Sequence, residues 1–270
     1  MRVHRTLHLL SLTVFALFLL TTLAFADFQA GQNAYDRGDY EAALNEWLPL
    51  ALGGNGEAQY NLGNIYAYGQ GVPQDMAEAL LWYRLAVKQG NASSQVSMGF
   101  MYSIGIDVPQ DDTEALRLYR LAAEQGNATA QVLLGVRYER GLGVPQDDTE
   151  ALRLYRLAAE QGNPSAAFSL GDMYAHGQGV PQDMAKALRW YRLPATQGYA
   201  FAQVLLGLMY STGQGIRQDY VQAHMWFHLA ASQGDKKAAK EIVQIAKKMT
   251  PEQIAEAQRL AHEWEAQQKK

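Results

Sequence analysis

The chain has no cysteine. That excludes disulfides, thiolate metal sites, a cysteine nucleophile and a lipid-modified cysteine. It also has no basic excess: the formal net charge is −4, and setting aside Arg2 and Arg5 in the leader makes the acidic excess larger. A nucleic-acid binder needs a basic face to displace counterions, so no nucleic-acid partner is expected. Proline is sparse, at 8 in 270 residues. Long apolar runs are scarcer still; the one candidate is Leu9 to Leu20.

That run is short for a membrane span. Arg2 and Arg5 precede it, and Ala24-Phe25-Ala26 follows as a small-x-small cleavage signal before Asp27. Residues 1–26 therefore read as a secretory signal peptide. The expectation is a periplasmic or secreted protein with no stable membrane insertion after cleavage.

What the chain has in abundance is repetition. Val108 to Asn127 recurs letter for letter as Val144 to Asn163, and related copies begin at Val72, Val180 and Ile216. Neighbouring copies are offset by 36 residues. A fixed period of this size marks a repeat array. The chain divides into an opening half-repeat or cap at 27–55, five units at 56–91, 92–127, 128–163, 164–199 and 200–235, and capping helices at 236–270. Each long unit reads as two antiparallel helices, A and B, joined by a loop rich in glycine and proline.

Asp75, Asp111 and Asp147 precede helix B with Glu78, Glu114 and Glu150 three residues on, the pattern of a capping box. Thr250 and Gln253 repeat it before the last helix. Gly90, Gly126, Gly162, Gly198 and Gly234 should stop helix B. Gly63, Gly99, Gly135, Gly171 and Gly207 fall inside helix A, where glycine costs about 1 kcal/mol. They imply close helix approach, with Ala79, Ala115, Ala151, Ala187 and Ala223 as the expected facing residues. Tyr83, Tyr119, Tyr155, Tyr191 and Phe227 form an aromatic ladder on helix B, and Tyr66, Tyr102, Tyr138, Tyr174 and Tyr210 another on helix A. Pro49 and Pro194 should kink or shorten their helices.

The helix-A Leu-Gly…Tyr, the loop Gly-x-Gly-Val-x-x-Asp, and the helix-B Ala…Trp-Tyr…Ala…Gln-Gly of residues 58–91 closely resemble the Sel1-like repeat, a relative of the tetratricopeptide repeat. The opening unit resembles a plain tetratricopeptide variant. The resemblance implies an all-α fold, an α/α superhelical solenoid of antiparallel helix pairs. It also implies an adaptor for other proteins, with helix A on the concave side. Two loops depart from the pattern: Asp107 stands where the second loop glycine belongs, and Arg217 replaces the loop proline.

No nucleophile elbow, Ser-x-x-Lys set or phosphate-cradling loop is present. No catalytic residue, metal ligand or cofactor is therefore expected. His224 and His228 lie four apart, as metal ligands can, but they occupy the places of Leu188 and Arg192, a packed and a solvated position. The row Arg84, Arg120, Arg156 and Arg192 could face an acidic partner; the plainer reading pairs it with carboxylates such as Asp111, Glu124 and Asp147. Trp82, Trp190 and Trp226 read as core.

The variable face of helix A is the expected binding surface for a protein or peptide. Its residues are Asn64, Tyr68, Phe100, Ile104, Val136, Arg140, Asp172, His176 and Leu208. They vary between units while Gly63, Tyr66 and their counterparts do not. The functional expectation is a non-enzymatic, exported interaction scaffold of the bacterial envelope or secretome. The alternative is a weak cell-wall or β-lactam hydrolase, or a glycan-binding envelope protein.

Overall fold

Every 36-residue unit carries two stretches that favour helix, each with a glycine placed to end it and, in all but helix A of the last unit, a polar side chain placed to start it. The computed structural model describes residues 26–268, and among them every element is a helix. Residues 1–25, which hold most of the expected signal peptide, lie outside the described residues; of the expected cleavage signal only Ala26 is within them. The described chain divides into two compact units, one ending at Asn127 and one beginning at Ala128.

The first unit contains α1 (Phe28–Asp36), α2 (Tyr40–Leu52), α3 (Gly56–Tyr68), α4 (Met76–Lys88), α5 (Ala92–Ile104) and α6 (Asp112–Glu124). The second contains α7 (Ala128–Arg140), α8 (Asp148–Glu160), α9 (Pro164–His176), α10 (Met184–Thr196), α11 (Ala200–Thr212) and α12 (Tyr220–Ser232). It closes with α13 (Lys236–Ala246) and α14 (Pro251–Gln268). Within each unit, successive helices up to α13 pack on one another, and α14 folds back onto α12. Around Trp47, Leu62 and Ile65 one apolar cluster forms; Tyr191, Leu206, Met209 and Phe227 belong to another.

Helix B starts as expected: Asp75, Asp111, Asp147, Asp183 and Asp219 each accept a backbone N–H three residues on. The reciprocal half of the capping box differs. Glu114 and Glu150 turn forward instead, each holding an arginine, Arg117 and Arg153, at 2.7 Å. A bidentate guanidinium is the stronger partner for an ionised carboxylate. The full box forms at Thr250 and Gln253, where each side chain accepts the other's N–H. Helix A has its own caps, which the sequence reading did not identify: Asn55, Asn91, Asn163 and Asp235. Tyr199 occupies that place before α11 and gives no side-chain cap.

The two internal prolines do not shorten their helices; α2 and α10 keep the 13 residues seen in the other long helices of the units. Pro49 and Pro194 sit near the C-terminal ends, where a lost N–H bond interrupts little of the ladder.

The helix-A glycines have a different partner from the one expected. A Cβ on Gly63 would stand 2.5 Å from the ring of Tyr83, and one on Gly207 2.5 Å from the ring of Phe227. Gly99 and Gly135 meet Tyr119 and Tyr155 in the same way. The glycine makes room for the aromatic side chain of helix B; at Gly99 the expected alanine is close as well, with the Ala115 carbonyl oxygen 3.3 Å from such a Cβ. Asp107 is the one non-glycine among the described residues with positive φ, at 58°. It adopts the backbone of the glycine it replaces.

Buried glutamines bond both between repeats and within them. Gln59 Nε2 donates to the Ala51 carbonyl at 2.8 Å, and Gln203 Nε2 to that of Ala195 at 3.1 Å. Gln125, Gln161 and Gln233 then donate to Gln95, Gln131 and Gln203 at 2.8–2.9 Å. A buried amide left without such partners is costly. The fourth repeat carries Ala167 where the others have glutamine.

Candidate functional site

The variable positions of helix A divide by how firmly the fold holds them. Tyr68, Phe100 and Ile104 in the first unit are 72%, 50% and 45% exposed. Arg140 and His176 in the second unit are exposed as well. Asn64, Val136, Asp172 and Leu208 are half-buried.

The half-buried set lies next to the helix-B aromatic ladder. Tyr83 donates its hydroxyl to Asn64 Oδ1 at 2.8 Å, and Tyr191 donates to Asp172 Oδ1 at 2.6 Å. Val136 offers no acceptor, and Tyr155 instead reaches Glu139 Oε2 at 2.7 Å. Leu208 packs against the apolar cluster that contains Phe227, the ladder member without a hydroxyl. Variation at this position was expected to mean freedom from the stack. Asn64 and Asp172 show otherwise: they are acceptors for the ladder. Burial is the main cause that pushes the Tyr83, Tyr155 and Tyr191 hydroxyls above their ordinary range, and the carboxylates of Glu139 and Asp172 add to it for the last two. These phenols therefore stay protonated and donate.

The arginine row also pairs differently from the expectation. Arg156 donates to the Tyr174 hydroxyl and Arg192 to that of Tyr210, both at 3.0 Å. These two arginines thus join helix B of one repeat to helix A of the next through tyrosine.

His224 takes the packed place as expected, whereas His228 is half-buried and not solvated. His224 is buried, and its imidazole is pushed below the ordinary range first by burial and then by His228. His228 meets the ring of His262 on α14 edge-on, with centroids 5.7 Å apart. Among the described residues, no three of His, Asp and Glu are grouped as metal ligands would be. Trp82 and Trp226 are buried and Trp190 is half-buried, so the tryptophans are core residues. No described helix is long and apolar enough to cross a membrane.

The glutamine and tyrosine–acceptor bonds are the features that sequence reasoning missed. Their signal was present: glutamine recurs at 59, 95, 131 and 203, and again 30 residues after each.

The model of the Sel1 repeat matches residues 56–91, 92–127, 128–163, 164–199 and 200–235. A comparison with curated proteins gives no match. Among solved structures, a Sel1 repeat protein from Oxalobacter formigenes is 33% identical, with a TM-score of 0.75. The match covers 89% of this chain and 98% of that one. The protein c5321, a protective antigen present in uropathogenic Escherichia coli strains and displaying an SLR fold, is 28% identical with a TM-score of 0.55. There the match covers 88% of this chain but 60% of the longer relative. The unit boundaries read from the 36-residue period coincide with the five matched segments, and the chain belongs to the Sel1 repeat family.

Proposed function

We propose that the protein is an exported interaction scaffold of the bacterial envelope, binding a protein or peptide through the exposed part of helix A. The observation that carries this reading is the exposure of Tyr68, Phe100 and Ile104 on helices whose other faces are buried. Large apolar side chains held in water by a rigid helix pair suit a protein surface, and aromatic and arginine residues are frequent hot spots. Arg140 and His176 add polar contacts on the second unit. The half-buried members, Asn64 in the first unit and Val136, Asp172 and Leu208 in the second, are each held by the fold of their own unit. Sel1 repeat proteins in general serve as protein-interaction scaffolds, which favours the reading. The antigen described for the uropathogenic relative accords with an exported chain.

The test is photo-crosslinking in an envelope extract. A crosslinker at position 100 should give a discrete covalent adduct, and one at position 117, on helix B, should not. Equal labelling from both positions contradicts the assignment. Turnover of peptidoglycan or a chromogenic β-lactam, abolished by one point substitution, would favour the hydrolase alternative.

A further inference from the structure

The second glycine of three Gly-x-Gly loops rests on the first residue of an earlier helix B. Gly71 lies on Tyr40, Gly179 on Asp148 and Gly215 on the backbone of Met184 and Ala185. The fit is tight. A Cβ on Gly71 would stand 2.7 Å from the Tyr40 Cβ, and one on Gly179 2.8 Å from the Asp148 carbonyl oxygen. The three glycines also hold φ values of 72°, 65° and 73°. At these three places a glycine turn covers the start of helix B; in the loop of the second repeat Asp107 holds the same backbone conformation instead.

The series Asp148, Met184 continues by the same step to Tyr220, the first residue of α12 and of the last helix B. No Gly-x-Gly loop follows it. The residue that corresponds to Gly215 one repeat later is Pro251, the first of α14. The place that the next loop would cover is an open cavity of about 460 Å³. It is lined by Tyr220 and Val221, together with Tyr210, Ile216, Arg217 and Gln253. Tyr220 and Val221 are the counterparts of Met184 and Ala185.

The charge around this cavity is also particular to it. Arg217 stands where the four earlier loops carry Pro73, Pro109, Pro145 and Pro181. It is exposed, and it forms no ion pair among the described residues. Lys248 Nζ lies 5.6 Å above the Tyr220 ring. Asp219 is the carboxylate in the lining, and it already accepts the Gln222 N–H at 3.0 Å as the helix cap. The balance favours an incoming anion, and a guanidinium is suited to a carboxylate.

We propose that this cavity is a docking site for a glycine-containing peptide turn of a protein partner, bearing a carboxylate that pairs with Arg217. The turn sits on Tyr220 and Val221 as Gly215 sits on Met184 and Ala185. The inference deepens the scaffold reading and rests on it, but it concerns a different surface from helix A.

The test titrates the full chain with the acetylated and amidated heptapeptide Gly-Gln-Gly-Val-Pro-Gln-Asp, the sequence of this chain's own loop at 177–183. Amide shifts of Tyr220 and Val221 give the readout. The parent peptide should bind saturably at millimolar concentration. Alanine at its third position, or asparagine at its seventh, should weaken binding roughly tenfold, the worth of about 1.4 kcal/mol. Arg217→Pro, which restores the residue of the other loops, should do the same, and Arg217→Gln should agree with it. No binding of the parent, equal binding of all three peptides, or unchanged affinity in both Arg217 variants overturns the site. A partner that binds through Phe100 while the peptide fails overturns this site alone. Peptide binding with a partner indifferent to Phe100 overturns the helix-A reading and leaves the site standing.

Discussion

The Tyr191 hydroxyl donates to Asp172 Oδ1 at 2.6 Å, joining helix B to helix A inside one repeat. The bond explains a substitution pattern along the chain. Asn64 serves Tyr83 in the same way, and where helix B carries Phe227 the acceptor position becomes Leu208. Acceptor and hydroxyl appear and disappear together in these three repeats; Tyr155, whose counterpart position is Val136, keeps its hydroxyl by reaching Glu139 instead.

Removing one member should therefore cost more than removing both. Asp172→Leu leaves the phenol of the buried Tyr191 without its acceptor, and a loss of about 1–3 kcal/mol is expected in urea unfolding. Adding Tyr191→Phe should recover at least half of that loss, reproducing the Leu208–Phe227 pair. A double variant no more stable than Asp172→Leu alone would show that the two residues are not coupled.

Gly63→Ala sets two effects against each other. Helix propensity favours alanine by about 1 kcal/mol, but the new Cβ would enter the Tyr83 ring at 2.5 Å. Overpacking of this kind costs roughly 1–3 kcal/mol. A net loss in thermal or urea stability is expected, and Gly63→Ala with Tyr83→Leu should relieve it. A Gly63→Ala protein more stable than the parent contradicts the close approach.

Much of this fold was legible in the sequence because it is written five times. The period gave the unit boundaries, and Asp75, Asp111 and Asp147 gave the helix-B starts. The partners inside a unit were harder to read. Alanine and tyrosine on helix B both recur every 36 residues, so periodicity alone could not say which one faces Gly63. Side-chain direction decides it, and the Tyr83 ring lies over the glycine. Glu114 was misjudged for a similar reason: a capping bond and an Arg117 bond both fit its spacing, and the bidentate arginine wins. At the candidate site, variation was visible but its meaning was not. Asn64 and Tyr68 vary alike in sequence, yet one is bonded to Tyr83 and the other stands in water.

His224 gives the fold an acid limb. Burial and His228 hold its imidazole below the ordinary histidine range. The unfolded chain then binds the proton more readily than the folded one. Stability is complete above about pH 6.5 and falls as the pH drops toward the folded value, by at most about 1.4 kcal/mol per pH unit. His224→Leu, the residue found at Leu188, should flatten this limb between pH 6.5 and 5. Identical pH slopes for the two proteins would show that His224 is not held neutral.

The central claim is that the exposed face of helix A carries the partner. Its most direct measurement is the affinity of the crosslinked partner, once purified, for two variants with intact helical content. Tyr68→Ala with Phe100→Ala should weaken binding by about 2 kcal/mol or more, roughly thirtyfold, as for hot-spot residues. Arg117→Ala with Arg153→Ala, which breaks two exposed ion pairs on helix B, should leave affinity nearly unchanged. Full affinity in the helix-A variant, or loss in the helix-B variant instead, would contradict the account.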